Sequence, residues 1–333
     1  MENKRVELCV HTNNTAINGI NSIGDFIHEA LKDWMPAIAI TDIMSLSSLE
    51  DGYEIVRKNG GIKLLYGIDV LSKRNNKYIQ MIILARNEKG LKDIEDMLAR
   101  SLKSENDKTY ISFDEISSHK DNLVLGISML DELIYALKNN DCDTNIDSII
   151  SPVDFVMVHP IKYLDCLNDL KFKDRAEVIR TYHRIIDICD DAGKKVVASD
   201  NAYFVYKEDE ECRKMIRNYY GYSYHNQPNM RFRTTNEMMN EFDFLSETTA
   251  ERIVIHNTVE IANLCGEMFK PSVDKTQGKH IGHRNAYDII HTYCQKEDIK
   301  YSDELECQIA EKIANVKSSK IYLFPKELEK AKS

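Results

Sequence analysis

The sequence predicts an α/β protein in which a mostly parallel sheet is followed by a helical appendage. Seven short apolar segments have the β-branched, alternating character of buried strands, and segments of helical periodicity separate most of them. From residue 207 onward the pattern is helical to the end of the chain. We therefore expect a β/α domain over residues 1–206 and a helical appendage packed on it over residues 207–333.

The predicted strands are short and are bounded by polar or glycine-containing turns. They span residues 5–12, 37–40, 63–67, 78–84, 123–126, 154–158 and 195–198. Ser22 is the predicted N-cap of the first helix, and a Gly60-Gly61 pair ends the second. Helices are predicted at 22–34, 47–58, 87–102, 174–191, 207–219, 235–244, 247–264, 284–296 and 302–315.

Composition narrows the class of protein. A hydrophobic content of 43% and a charged content of 29% are typical of a soluble globular protein. The net charge of −10 argues against a broadly nucleic-acid-coated surface, although it leaves room for a local basic segment. The eight cysteines include no Cys-x-x-Cys pair, which indicates reduced thiols rather than a zinc ribbon or a disulfide framework. No apolar run approaches membrane-spanning length, and Met1–Lys4 leaves no room for a signal peptide, so we expect a cytoplasmic protein without a membrane partner.

The first predicted strand carries Cys9 and His11 near its C-terminal end. Side chains two residues apart in a strand point to the same side, as two ligands of one metal ion would. In a β/α barrel the C-terminal ends of the strands form the functional face. The alternative is that Cys9 is a packed thiol and His11 a hydrogen-bonded histidine, and the pair alone does not decide between these readings.

Several motifs are distributed along most of the chain, namely Val6–Thr12, Ile40–Asp42, Tyr66–Asp69, Ile82–Leu91, Val196–Ala198, Arg231–Met238, Phe242–Leu245 and Glu251–Val254. In this order they resemble the PHP (polymerase and histidinol phosphatase) domain, most closely that of the PolC-type bacterial DNA polymerase III α chain. The resemblance implies a distorted seven-stranded, TIM-like β/α barrel with a C-terminal helical appendage.

The same resemblance implies what these residues lack. Ile321–Leu323 resembles the segment where the polymerase passes into its palm, and the chain stops there. The proofreading exonuclease of the PolC type would fall between Asp69 and Tyr78, where only a short turn stands. We therefore expect neither polymerase nor inserted-exonuclease chemistry from these residues.

Active members of the family hold two or three metal ions with about nine histidine, acidic and cysteine ligands. In this chain the corresponding positions are occupied, in order, by Cys9, His11, Asn18, Ile43, Asp69, Gln80, Met129, Asn201 and Tyr203. Only His11 is identical to the family's residue, because neutral amides, apolar side chains and a phenol replace most of the others. We expect no cofactor, the alternative being a single zinc or manganese ion held by Cys9, His11 and Asp69.

A second candidate site is the segment Cys212–Asn236, which contains no acidic residue. Cations for phosphates and aromatic rings for unpaired bases alternate along it. The alternative is that Arg231–Asn236 forms a scaffold turn and the tyrosines pack the barrel against the appendage. The candidate contacts are Arg213, Lys214, Arg217, Tyr220, Arg231 and Arg233, with Tyr219, Tyr222, Tyr224 and Phe232 interleaved.

The resemblance and the altered metal positions together predict a non-catalytic PHP-domain protein related to the replicative polymerase. We expect a binding or scaffold module in DNA replication or a related DNA transaction, with replication proteins or single-stranded DNA as partners. The alternative is an enzyme, namely a residual metal-dependent phosphoesterase or 3′–5′ nuclease.

Overall fold

The computed structural model describes residues 3–15, 17–74, 77–105, 108–130, 132–138, 146–166, 172–221, 228–273 and 280–318. Tyr222, Tyr224 and the segment Ile321–Leu323 lie outside these ranges. Among the described helices, none combines the length and the apolar character needed to cross a membrane.

The strands of the described residues belong to one curled sheet. Along it β4, β5, β2, β3, β6, β7 and β8 are hydrogen-bonded in that order, and β1 pairs with β2. The strands are β1 (Ala37–Ile40), β2 (Lys63–Arg74), β3 (Lys77–Ala85), β4 (Lys103–Glu105), β5 (Lys108–Ser112), β6 (Leu123–Ser128), β7 (Phe155–Val158) and β8 (Lys195–Ala198).

The N-terminal segment joins the two ends of the curled sheet. Glu7 forms a parallel bridge to Ile38 of β1, and Val10 forms one to Ala202, four residues beyond the end of β8. With β1, β2, β3, β6, β7 and β8, this segment makes a ring of seven, at the places where the sequence predicts seven strands. The predicted fold class, a distorted β/α barrel with C-terminal helices, is confirmed.

The N-terminal segment is extended but is not a regular strand. The backbone N–H groups of Val6 and Val10 donate to the hydroxyls of Thr258 and Thr41, at 3.0 Å in both cases. A backbone donor that is bonded to a side chain cannot join a ladder with a neighbouring strand. The segment therefore touches its neighbours through single bridges, which explains why the predicted strand 5–12 has no continuous ladder.

The strand directions differ in part from the mostly parallel arrangement that the sequence predicts. β3 runs antiparallel to both β2 and β6, whereas β6, β7 and β8 are parallel to one another. The cause is the short turn between β2 and β3, because a turn of this length can join only antiparallel strands. The β4–β5 hairpin was missed, since segments of three and five mainly polar residues carry no clear periodicity.

The long helices begin where the sequence predicts. The side chains of Ser22, Asn87 and Asp174 each accept a hydrogen bond from the backbone N–H three residues later, which caps the three helices they precede. Before β8 the helices are α1 (Ile23–Lys32), α2 (Leu49–Asn59), α3 (Glu88–Arg100), α4 (Phe113–Ser118), α5 (Glu132–Lys138), α6 (Ile146–Ile150) and α7 (Arg175–Asp191).

The regular elements beyond β8 in the described residues are helices, as predicted. The predicted helix 247–264 is interrupted by a π-helical turn at Arg252–His256. The helices are α8 (Asp209–Tyr219), α9 (Thr235–Glu241), α10 (Glu247–Glu251), α11 (Asn257–Leu264), α12 (Gly282–Glu297) and α13 (Asp303–Ala314). The division of the chain at residue 206 stays a prediction.

An ion network centred on the fully buried side chains of Arg5, Glu7 and Asp200 holds the N-terminal segment in the ring. Arg5 pairs with Glu7 and lies 3.3 Å from Asp200, and its guanidinium also donates to the backbone oxygen of Arg233 at 2.9 Å. Arg233 in turn binds Asp200 at 2.6 Å and Glu241 at 3.1 Å. Burial raises the pKa of Glu7, and the Arg5 guanidinium opposes that shift. The Glu7 carboxylate therefore depends on the Arg5 guanidinium to stay charged inside the barrel.

We predict that Arg5→Met strongly destabilises the fold. The substitution fills a similar volume but leaves Glu7 and Asp200 buried with one fewer cation, which typically costs about 3–5 kcal/mol. Urea unfolding followed by circular dichroism measures the effect.

The matched control is Arg57→Met, which breaks the exposed ion pair between Arg57 and Glu54 on α2. Because that pair is solvated, the control should unfold at nearly the wild-type urea concentration. Equal unfolding midpoints for the two variants would show that the buried network does not hold the ring.

Candidate metal centre at the barrel mouth

All nine positions that the family resemblance assigns to metal ligands are buried. Three of them converge: the potential ligand atoms of Cys9, His11 and Asp69 all lie within 4.8 Å of one another. Cys9 and His11 come from the N-terminal segment and Asp69 from β2, so the cluster spans two members of the ring. Among the described residues this is the group of three or more such side chains that could hold a metal ion.

Two amides at the neighbouring positions hydrogen-bond the cluster. Gln80 donates to Oδ2 of Asp69, which also lies 2.9 Å from Nε2 of His11. The Cys9 thiol donates to Oδ1 of Asn201 at 3.3 Å. Gln80 and Asn201 therefore orient Asp69 and Cys9 from positions where the family resemblance implies further metal ligands.

Burial sets the charge state of the cluster. Desolvation raises the pKa of Asp69, while its hydrogen bond with His11 opposes that rise. Desolvation also raises the pKa of the Cys9 thiol well above its usual value, and the nearby carboxylates of Asp69 and Glu7 add to the rise. Without a cation beside it, Cys9 is a neutral thiol rather than the thiolate that ligates metals.

The donor atoms fit one metal ion. Nδ1 of His11 and Oδ1 of Asp69 are buried and have no hydrogen-bond partner. A buried polar atom without a partner is rare and calls for a bound ion or water molecule. A sulfur, a nitrogen and an oxygen donor together suit a borderline ion such as Zn²⁺, with Cys9, His11 and Asp69 as its ligands.

The same residues do not fit a centre of two or three ions. Oδ1 of Asn18, where the family has an acid, accepts hydrogen bonds from Arg213 at 2.8 Å and 3.1 Å and from Arg217 at 2.8 Å. Two guanidinium groups at this point repel a further cation. Ile43 and Met129 belong to the hydrophobic core and present no hard donor atom.

A stack of side chains covers His11. The Tyr203 ring is nearly parallel to the imidazole, with centroids 4.1 Å apart and planes 8° apart. The Arg213 guanidinium lies on the Tyr203 ring, 4.7 Å from its centroid. Tyr203 occupies a family ligand position and here contributes a ring face instead of a metal ligand.

Three of the six predicted nucleic-acid contacts in Cys212–Asn236 are buried. Arg213, Arg217 and Arg233 are 4%, 3% and 7% exposed, so a nucleic-acid strand cannot reach them in this conformation. Lys214 pairs with Glu210 at 3.2 Å, and Tyr220 packs partly buried against the core. Nucleic-acid binding by this segment stays a prediction.

The acids that pair with these cations lie elsewhere in the chain. Arg233 binds Asp200 and Glu241, and Arg231 binds Glu237. The lack of acids within the segment therefore does not indicate that its cations are free. Only the fold brings these partners within reach of the arginines.

Sequence reasoning missed a second buried carboxylate beside the cluster. Asp42 accepts hydrogen bonds from the Thr12 backbone at 2.6 Å and from the hydroxyls of Thr12, Thr15 and Ser48 at 2.8, 2.7 and 2.6 Å. Four donors satisfy both of its oxygens. Asp42 therefore ties the loops of the barrel mouth together.

A family model described as the PHP domain matches residues 7–188. The chain belongs to the PHP domain family. It is similar to the PolC-type DNA polymerase III of Clostridium perfringens (strain 13 / Type A), with 26% identity over 277 residues, which cover 82% of this chain and 18% of that protein. For the PolC-type DNA polymerase III of Staphylococcus aureus the identity is 29% over 207 residues, covering 60% and 14%. The matched part of this chain thus spans less than a fifth of the length of these curated relatives.

Among solved structures, the PHP domain is similar to a proposed metal-dependent phosphoesterase from Bifidobacterium adolescentis. The TM-score is 0.40 and the sequence identity 12%, over 59% of this chain and 86% of that one.

The prediction that the chain has no cofactor is wrong. Cys9, His11 and Asp69 of this PHP domain converge in a cluster that can hold a metal ion. The sequence named these three residues only as the alternative, because it does not show that their ligand atoms converge. Three ligands in one place are enough for one ion, even when six other positions have changed.

His159, beyond the end of β7, is a buried neutral histidine. Its Nδ1 lies 2.7 Å from the backbone oxygen of Ser199, and its Nε2 lies 2.9 Å from the Ser128 hydroxyl. An imidazole that donates to the carbonyl and accepts from the hydroxyl satisfies both contacts. Desolvation lowers the pKa of His159 to about 4.

We predict that His159 makes stability fall in mild acid. The unfolded state takes up a proton on His159 near pH 6.5, whereas the folded state does so only near pH 4. The stability that the neutral imidazole contributes is therefore fully present above pH 6.5 and is lost as the pH falls towards 4. At pH 5 the loss should be about 2 kcal/mol.

The measurement compares urea unfolding of the wild type and His159→Gln at pH 7 and pH 5. Glutamine keeps a polar group but does not titrate, so the variant should lose less stability between these two pH values. The raised pKa values of Glu7 and Asp69 act in the opposite direction and are common to both proteins. An equal loss in both proteins would rule out His159 as the source.

Proposed function

We propose that this PHP domain acts by binding, as a non-catalytic scaffold module in DNA replication or a related DNA transaction. The similarity to PolC-type polymerases supports the replication context. The observation that carries the proposal is the Tyr203–Arg213 stack over His11. We propose replication proteins or single-stranded DNA as the partners of the module.

Hydrolysis of a phosphoester requires that the substrate reach the catalytic centre. In metal-dependent sites an ion activates a water molecule, and the substrate oxygen contacts the same ion or a neighbouring one. Here Cys9, His11 and Asp69 are each fully buried. A phosphoester could approach them only if Tyr203 and Arg213 moved aside, which would expose the ring and break the Arg213–Asn18 hydrogen bonds.

The three-residue cluster has a structural role in this proposal. Cys9 and His11 belong to the N-terminal segment and Asp69 belongs to β2, so ligation of one ion by all three would link two members of the ring. The chemistry that a divalent ion supplies in hydrolytic sites is activation of water. In this chain Gln80 and Asn201 hydrogen-bond the ligand residues instead of adding charged ligands.

The second candidate function is a residual metal-dependent phosphoesterase or 3′–5′ nuclease. The observation in its favour is the pair of unpartnered buried atoms, Nδ1 of His11 and Oδ1 of Asp69. If Tyr203 swings away, the cluster could take up an ion with an open coordination position. Both functions use the same residues, and they differ in whether the cluster is reached by substrate.

We predict that the chain hydrolyses neither p-nitrophenyl phosphate nor the 3′ end of single-stranded DNA above background with Mn²⁺ or Zn²⁺. The reason is that buried ligands give an ion no contact with substrate. Release of nitrophenol and shortening of an end-labelled oligonucleotide are the two measurements.

The control is His11→Ala, which removes the one ligand identical to the family's residue. Wild type and variant should be indistinguishable in both assays. Metal-dependent turnover by the wild type that disappears in His11→Ala would establish the enzyme and reject the scaffold proposal.

A further inference from the structure

A basic and aromatic surface lies on the sheet extension formed by β2, β3, β4 and β5. The strand register pairs Lys73 with Tyr78 and with Ser112, Lys103 with Tyr110, and Glu105 with Lys108. Paired residues of neighbouring strands point to the same face, and so do residues two apart in one strand. The register therefore defines one face of the sheet, the hairpin face, made by Lys73, Tyr78, Lys103, Glu105, Lys108 and Tyr110. The Tyr110 ring is buried at the base of this face, and its hydroxyl reaches Glu105.

The lysines of the hairpin face are arranged around its two rings. The ammonium of Lys73 lies 5.4 Å from the centroids of both Tyr78 and Tyr110, and that of Lys108 lies 4.6 Å from the centroid of Tyr78. The two rings meet edge to face, 5.5 Å apart. Contacts of this kind hold the cations close to the rings instead of leaving them to move freely in solvent.

Three donors of the hairpin face converge on one negatively charged oxygen. Oε2 of Glu105 binds the Lys73 ammonium and accepts from the hydroxyls of Tyr78 at 3.2 Å and Tyr110 at 3.4 Å. The Glu105 side chain is 46% exposed and stands on β4, a three-residue strand at the edge of the sheet. The hydrogen bond with Lys73 lowers the pKa of Glu105, so the carboxylate is charged at neutral pH. The donors thus form an anion site at the surface that the chain's own carboxylate fills.

We propose that the hairpin face binds the phosphate backbone of single-stranded nucleic acid, and that Glu105 holds the place of a phosphate group in the free chain. A phosphate oxygen can take the same three donors, and Glu105 can turn outward because it stands on a short edge strand. This inference rests on the proposed function, which is binding in a DNA transaction, and it names the surface of the protein that would bind the nucleic acid.

Charge and chemistry support this partner. The hairpin face carries three lysines and one glutamate among its described side chains, in a chain whose net charge is −10. A local positive surface on an acidic protein directs a polyanion to that surface. Lysines interleaved with aromatic rings are typical of surfaces that bind single strands, whose bases and phosphates are both accessible. The face is separate from the Cys212–Asn236 segment, whose arginines are largely buried.

The experiment measures binding of the full chain to a fluorescein-labelled oligothymidylate by fluorescence anisotropy at low salt. Glu105→Gln removes the competing charge but keeps the side-chain shape, so affinity should rise about fivefold. The matched control is Glu54→Gln, which removes the same charge from an exposed ion pair on α2 and should leave affinity within about twofold.

Loss variants complete the test. Lys108→Gln should weaken binding about fivefold, whereas Lys58→Gln on α2 should leave it within about twofold. For Glu105→Gln the logarithm of affinity should fall with the logarithm of salt concentration with a slope of about −2, as expected for three cations on a single strand. Melting temperatures verify that each variant is folded. Binding to an oligouridylate of the same length, measured in parallel, shows whether the chain prefers DNA or RNA.

Two results would overturn the proposal. One is that Glu105→Gln binds no tighter than the wild type, and the other is that Glu54→Gln and Lys58→Gln shift affinity as much as the hairpin-face variants do. Oligonucleotide binding that does not respond to Glu105 rejects the hairpin face and leaves the binding function in place. Metal-dependent hydrolysis lost in His11→Ala rejects the scaffold function, and it leaves the response of Glu105→Gln as an independent result.

Discussion

The position of the N-terminal segment between β1 and Ala202 is the constraint on which the candidate site depends. The bridges from Glu7 and Val10 bring Cys9 and His11 to the barrel mouth, opposite Asp69 of β2. The Arg5–Glu7 pair anchors the segment inside the barrel, where neither charge is in contact with water. If the segment moved by one residue, Cys9 and His11 would turn to the other side, and the cluster would be lost.

Around this cluster, side chains that pack have replaced side chains that ligate. Tyr203 covers His11, Arg213 covers Tyr203, and Asn18 accepts hydrogen bonds from the arginines instead of binding an ion. These contacts use aromatic stacking and hydrogen bonds to satisfy a site that carries less charge than a multinuclear centre. The stack of Arg213, Tyr203 and His11 thus closes the barrel mouth above the Cys9–His11–Asp69 cluster.

The sequence predicted the positions of helices and strands better than it predicted strand directions and contacts between distant side chains. Capping residues such as Ser22 mark helix ends because they bond to their own backbone neighbours, so no distant contact is needed. The resemblance located Cys9, His11 and Asp69, but it did not show that their ligand atoms converge. The burial of Arg213 and Arg233 could not be read from the segment, since Asn18, Asp200 and Glu241 lie elsewhere in the chain. The antiparallel direction of β3 follows from the short connection between β2 and β3, whose length can be read from the sequence.

Metal content is the most direct test of this account of the barrel mouth. Elemental analysis of chain purified from medium with added manganese and zinc gives the number of ions per chain, for the wild type and for His11→Ala. We predict at most one equivalent of metal per chain in the wild type and no bound metal in His11→Ala. Two or more tightly bound equivalents per chain would contradict it, because a multinuclear centre requires ligands at positions now taken by Asn18, Ile43 and Met129.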